Sequence, residues 1–128
     1  MVSEIVLDGS AVLALLNDEL GAGTVAGFLH SAAISAVNLS EVAAKLDDAG
    51  VPHDAVREAI GELLLEVVAF DTEQAFEAGL LCTDTRAAGL SLGDRACLAL
   101  AKRLGVQAVT ADRDWERLLV CVQVTVDR

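Results

Sequence analysis

Glu4-Ile5-Val6-Leu7-Asp8-Gly9-Ser10-Ala11 runs from a strand-like stretch through an acid, a glycine and a serine into the helical pattern of Ala11 to Leu16. Alternate residues of a strand face opposite sides of a sheet, so a stretch apolar at successive positions is covered on both sides. The same design recurs along the chain. Ala32 to Ser35, Glu66 to Phe70, Gln107 to Thr110 and Cys121 to Val126 have strand length and β-branched content. Helical patterns fill the gaps, at Ala22 to His30, Leu39 to Ala49, His53 to Leu64, Thr72 to Ala87, Leu92 to Leu104 and Arg113 to Leu119. Gly50 and Gly105 stand where C-terminal caps belong, and Pro52 lies just past the first of these stops. Strands of this kind separated by helices predict an α/β three-layer sandwich, a mostly parallel central sheet flanked by helices.

In such sheets a ligand crevice opens beyond the carboxyl ends of the strands, where the strand order switches. Four acids are placed to reach it. Asp8 ends the first strand and Asp112 follows Ala108-Val109-Thr110-Ala111, while Glu41 and Asp94 each open a helix that reads as apolar nearly all round. A buried carboxylate without a partner is costly, and several converging together call for a cation. Oxygen ligands suit Mg²⁺ or Mn²⁺, whereas zinc recruits closely spaced His or Cys, and His30 and His53 offer no such pairing. Ser10, Asn38 and Thr110 sit beside the acids and are candidates to orient carboxylates or metal waters. Asp114 is a candidate outer ligand, and Arg95 a candidate contact for a phosphate or a partner.

Each acid also has a purely structural reading. Asp8 is a good N-cap in a strand-to-helix turn, and Asn38-Leu39-Ser40-Glu41 has the offset of a capping box with Asn38 as cap. Ser91-Leu92-Gly93-Asp94 has the same offset, and Asp112 can cap the helix carrying Trp115. Joint placement on one sheet edge is what favours the metal reading.

With 128 residues, 54% of them hydrophobic, the chain is sized for one domain over 1–128, and no low-complexity linker or internal repeat divides it. The formal charge of -11 excludes a sequence-blind grip on phosphates and points to bound cations or a basic partner. Cys82, Cys97 and Cys121 form no C-x-x-C pair and no secretory leader is evident, so they read as core thiols of a reducing, cytoplasmic protein. Charges or turn residues interrupt every apolar run short of a membrane span. Only Phe28, Phe70, Phe76 and Trp115 are aromatic, a thin supply for stacking bases.

Four segments together, Val6 to Ala11, Ser35 to Val42, Leu90 to Arg95 and Val109 to Arg113, resemble the PIN domain family, and in particular the VapC-type ribonuclease toxins of bacterial toxin-antitoxin pairs. The resemblance covers essentially the whole chain. It implies that Asp8, Glu41, Asp94 and Asp112 are catalytic ligands of Mg²⁺ or Mn²⁺ in an endoribonuclease acting on structured RNA such as tRNA or rRNA. It further implies a homodimer and a cognate VapB-type antitoxin with a DNA-binding N-terminal part and a tail that blocks the acidic groove.

Two other classes compete. One is a non-catalytic PIN-like interaction module whose acids hold a structural ion. The other is a phosphatase or phosphoacceptor domain using Asp8 as nucleophile, which would want a second Asp where Ser10 stands and a lysine after the late strand, where none follows Thr110.

Overall fold

A computed structural model describes residues 3–17, 31–81, 89–111 and 124–126, the last for its backbone. The elements are β1 (Ile5–Leu7), α1 (Gly9–Leu16), β2 (Ala32–Ser35), α2 (Ala36–Asp48), α3 (His53–Gly61), β3 (Glu66–Val68), α4 (Thr72–Gly79), α5 (Leu92–Leu104), β4 (Gln107–Thr110) and β5 (Val124–Val126). The helices expected at Ala22 to His30 and Arg113 to Leu119 lie outside the described residues, as do Asp112 and Asp114.

All five strands are parallel, in the order β3-β2-β1-β4-β5. Ile5 pairs with Ala32 on one side and with Gln107 on the other. The chain thus builds outward from β1 in one direction, then returns to its other side with β4. The switch in strand order falls between β1 and β4, which puts the carboxyl ends carrying Asp8 and Thr110 at the crevice.

The pleat sorts the core into two layers. Ile5, Leu7, Ile34 and Val109 pack with Ala11 and Val12 of α1 and Val42 of α2. Val6, Ala33 and Ala108, from the opposite face, pack with Cys97, Leu98 and Leu100 of α5. Each layer removes its own apolar surface from water, which is the physical content of the three-layer sandwich.

Several element ends differ from the sequence reading. α2 starts at Ala36 and is capped by Ser35, whose hydroxyl accepts from the Val37 amide at 3.3 Å. Asn38 is therefore inside the helix, not its cap. The Glu41 helix is also less apolar than expected, with only Asn38 and Val42 buried. α3 stops at Gly61, followed by a turn in which Leu64 takes a positive φ of 54°. β3 ends at Val68, short of Phe70, and α4 ends at Gly79. Leu92–Leu104, in contrast, is helical from end to end and closes on Gly105 in the left-handed conformation at φ 69°.

Candidate metal centre

Asp8 stands at the end of β1 and caps α1, its Oδ1 accepting from the Ala11 amide at 2.8 Å. It is 4% exposed. The Ser10 hydroxyl donates to the same oxygen at 2.8 Å, and the Thr110 hydroxyl, from the end of β4, donates to Oδ2. Ser10 Oγ lies 3.1 Å from Thr110 Oγ1 and accepts from the Ala111 amide at 3.0 Å. These bonds stitch β1 and β4 together at the switch point. They also hold the Asp8 carboxylate in one orientation.

Burial nonetheless dominates the acid's energetics. It pushes the Asp8 pKa from 3.8 up to about 6, against the lowering effect of Thr110, Ala11 and Ser10, and the negative charge of Asp94 adds to the rise.

Glu41 projects from the second turn of α2 and is exposed. Its carboxylate is seated by glycines. A Cβ on Gly9 would lie 3.6 Å from Glu41 Oε1, and a Cβ on Gly93 would overlap both carboxylate oxygens. Gly9 follows Asp8 and Gly93 precedes Asp94, so the Glu41 carboxylate is wedged between the neighbours of the other two acids. Asn38 fixes it there. The Asn38 amide nitrogen donates to Glu41 Oε1 and to the Gly93 carbonyl, each at 3.0 Å.

Asp94, half-buried at the start of α5, completes a capping box with Ser91. Its amide donates to Ser91 Oγ at 3.2 Å and its Oδ2 accepts from the Ser91 amide at 3.1 Å. The capping readings of Asp8 and Asp94 are therefore real, and each acid keeps lone pairs beyond its cap. Cys97, one turn along α5 and fully buried, senses the whole group. Burial first, then the charges of Asp8, Asp94 and Glu41, push its thiol well above the usual range.

Among the described residues none of these three acids is in an ion pair. Arg95 forms no ion pair with them, its Nε donating to the Leu90 carbonyl at 3.5 Å. Nor do three such side chains close into a ready-made cage among the described residues. The donor set still fits a hydrated Mg²⁺ or Mn²⁺, which binds through one or two carboxylates and keeps several waters. One further atom supports the fit. Asn38 Oδ1 is buried without a hydrogen-bond partner among the described residues, and flipping the amide would set that oxygen against Glu41 Oε1 and the Gly93 carbonyl. An acceptor left open beside Glu41 suits a donor from an ion's hydration shell.

The structure brings Asp8, Glu41, Asp94, Ser10, Asn38 and Thr110 to one edge of the sheet. Gly9 and Gly93 are the residues that reading the acids alone passes over. Their signal lies in the sequence, because a glycine stands directly beside an acid in Asp8-Gly9 and Gly93-Asp94. Another hollow, about 880 Å³ between α2 and α3, has a mostly apolar lining that also includes Asp47, His53 and Arg57, and neither Asp8 nor Asp94 lines it.

The chain matches the family model of the PIN domain over residues 5–119. No curated protein matches it significantly. Among solved structures it is similar to DNA-bound VapBC from Salmonella typhimurium, with a TM-score of 0.76, 19% identity, and coverage of 99% of this chain and 100% of that one. A toxin-antitoxin complex from Klebsiella pneumoniae gives a TM-score of 0.73 at 16% identity, covering 98% of both chains. VapC20 of Mycobacterium tuberculosis, a sarcin-ricin loop cleaving toxin, gives 0.68 at 22% identity, covering 88% of this chain and 93% of that one. At these identities the likeness is one of fold.

Proposed function

Because the chain belongs to the PIN domain family, we propose that it is a hydrolase, a metal-dependent endoribonuclease serving as the toxin of a VapBC-type toxin-antitoxin pair. Its substrate is structured RNA, a tRNA or an rRNA loop, as in the sarcin-ricin loop cleaving neighbour. The observation that carries this reading is the wedging of the Glu41 carboxylate between Gly9 and Gly93, which draws acids from β1, α2 and α5 to one crevice without a cationic side chain among the described residues to neutralise them.

In this reading Asp8, Asp94 and Asp112 hold the Mg²⁺ or Mn²⁺ ion, and Glu41 positions that ion or a second one. A bound divalent ion supplies a water activated for attack on phosphorus and charge neutralisation at the leaving oxygen. The chain's own residues do the rest. Thr110 and Ser10 keep Asp8 aimed at the crevice, Asn38 holds Glu41, and the Ser91 amide orients Asp94. Asp114 serves as an outer ligand. Arg95 has no acid partner among the described residues and is assigned to a substrate phosphate or to the antitoxin tail. The whole of 1–128 acts as one domain, paired in a homodimer in the cytoplasm. A VapB-type antitoxin with a basic tail covers the acidic crevice, which the charge of -11 favours. Among the described residues no helix is long and apolar enough to cross a membrane.

The non-catalytic reading draws on the capping bonds of Asp8 and Asp94, which give both acids structural work. Total bacterial RNA incubated with the purified protein in Mg²⁺, Mn²⁺ or EDTA, beside Asp8→Asn, separates the two when new 5' ends are sequenced. Discrete cuts that need metal and vanish in Asp8→Asn are expected. Identical patterns in every condition and in the variant would overturn the nuclease and leave the interaction module.

A further inference from the structure

A second hollow, about 670 Å³, adjoins the acidic crevice and shares Glu41 and Gly93 with it. Its other walls come from the first turns of α2 (Val37, Ser40), the segment after β3 (Phe70) and the start of α5 (Ser91, Leu92). Among the described residues no lysine or arginine lines it, which suits an uncharged group better than a phosphate. Its lining is mostly apolar and includes Ser40 and Ser91. Leu92 is 60% exposed although the rest of α5 around it is largely buried, and Phe70 is half-buried beside it. Of the exposed large apolar side chains described, Leu64, Val67, Phe76, Leu80, Leu92 and Leu104, Leu92 is the one that lines this hollow beside the acids.

We infer that this hollow is a base subsite, where an unpaired nucleobase adjoining the scissile phosphate leaves its stack and packs against Phe70 and Leu92. The inference rests on the ribonuclease reading and names how that site selects its RNA. A flat, uncharged base is the part of an RNA that an apolar wall without cations can accept. Ser40 and Ser91 lie in its lining as polar groups for the base edge, the Ser91 Oγ also accepting from the Asp94 amide, and the shared Glu41 puts the adjoining phosphate beside the acids. Recognition of this kind needs one splayed nucleotide and not a charged groove, which reconciles RNA binding with a chain of charge -11. Phe70 and Leu92 thus determine specificity and take no part in the bond-breaking step.

The test uses single-stranded RNA hexamers carrying one 2-aminopurine, moved through the six positions, bound to the full chain with Ca²⁺ in place of Mg²⁺. Stacking should quench the fluorescence at one position. Phe70→Ala should abolish that quench and weaken binding about ten-fold, Leu92→Ser should weaken it less, and Phe70→Trp should keep the quench. In cleavage assays Phe70→Ala should raise KM by about the same factor with kcat near the wild-type value, at an unchanged Tm. A quench that is uniform along the hexamer, or the same in Phe70→Ala, would overturn the base subsite even while wild type cuts RNA. A localised quench in a protein that cuts nothing would sustain the subsite and remove the nuclease. If Phe70→Ala altered neither quench nor KM but abolished self-association in sedimentation, the face would belong to a second copy of this chain, and the subsite would fall.

Discussion

A methyl group on Gly93 would take the space that the Glu41 carboxylate occupies, and the atoms it meets are the far end of an exposed, flexible side chain. Gly93→Ala should therefore fold, with stability unchanged or raised by up to ~1 kcal/mol because alanine favours the helix. The displaced Glu41 should nevertheless cost about ten- to hundred-fold in Mn²⁺ affinity by calorimetry or in cleavage rate. Equal affinity for wild type and variant would show that Glu41 does not act from this seat. Asp8 makes a second prediction at the same scale. The unfolded chain holds it near 3.8 and the folded chain near 6, so between these values the folded state binds more protons. Stability of the metal-free protein is then highest below pH 4 in this respect and is lost as pH rises toward 6, by roughly 3 kcal/mol when Asp8 is ionised. Asp8→Asn should remove that dependence and raise the metal-free Tm at pH 7, while metal affinity of the wild type should fall as pH drops through 6. A metal-free Tm that is flat from pH 4 to 7 in both proteins would contradict the strain assigned to Asp8.

α5 carries more of the site than its single acid suggests. Its capping box orients Asp94, its glycine seats Glu41, and Cys97 anchors its first turns in the core. Ser91→Ala removes the hydroxyl that caps the Asp94 amide and should cost about 1 kcal/mol by denaturant unfolding, with activity reduced because the first turn frays. Full stability with full activity would show that the cap is dispensable. Both ends of this helix were legible in the sequence, because Ser91 and Gly105 are strong start and stop residues flanking an apolar run. The cores of β1, β2 and β4 were legible for a similar reason, being buried on both faces, whereas the edge strand β3 leaves Glu66 and Val67 exposed. α2 was not. Ser35 and Asn38 are both good caps, and only the packing of Asn38 beneath Glu41 and Gly93 decides that Ser35 takes the role. The end of α3 was hidden too, since Glu62-Leu63-Leu64 continues a helical pattern and nothing local announces a leucine at positive φ. The acids could be picked out from strand and helix ends and expected on one edge of a parallel sheet, but the strand order that sets which strands meet there is encoded in no local pattern.

At the scale of the whole molecule, charge sets the kinetics of encounter. RNA and a protein of -11 repel at long range, so cleavage at limiting substrate should speed up as KCl rises from about 20 to 150 mM, the reverse of a basic RNA binder. Binding of a basic antitoxin peptide should weaken over the same range. A steep fall in kcat/KM with salt would point instead to an undetected cationic groove. The order β3-β2-β1-β4-β5 also has a temporal side. Asp8 receives its Thr110 hydroxyl bond from a residue 102 positions further along, and β1 stays an open edge until β4 arrives. A nascent chain emerging from the ribosome therefore holds Asp8, Glu41 and Asp94 in hand without the strand that locks the first of them, because pairing so distant in sequence forms late. Residue 110 must be made before the crevice exists, so, if the protein is the ribonuclease proposed above, the ribosome making it meets no assembled site until β4 has emerged.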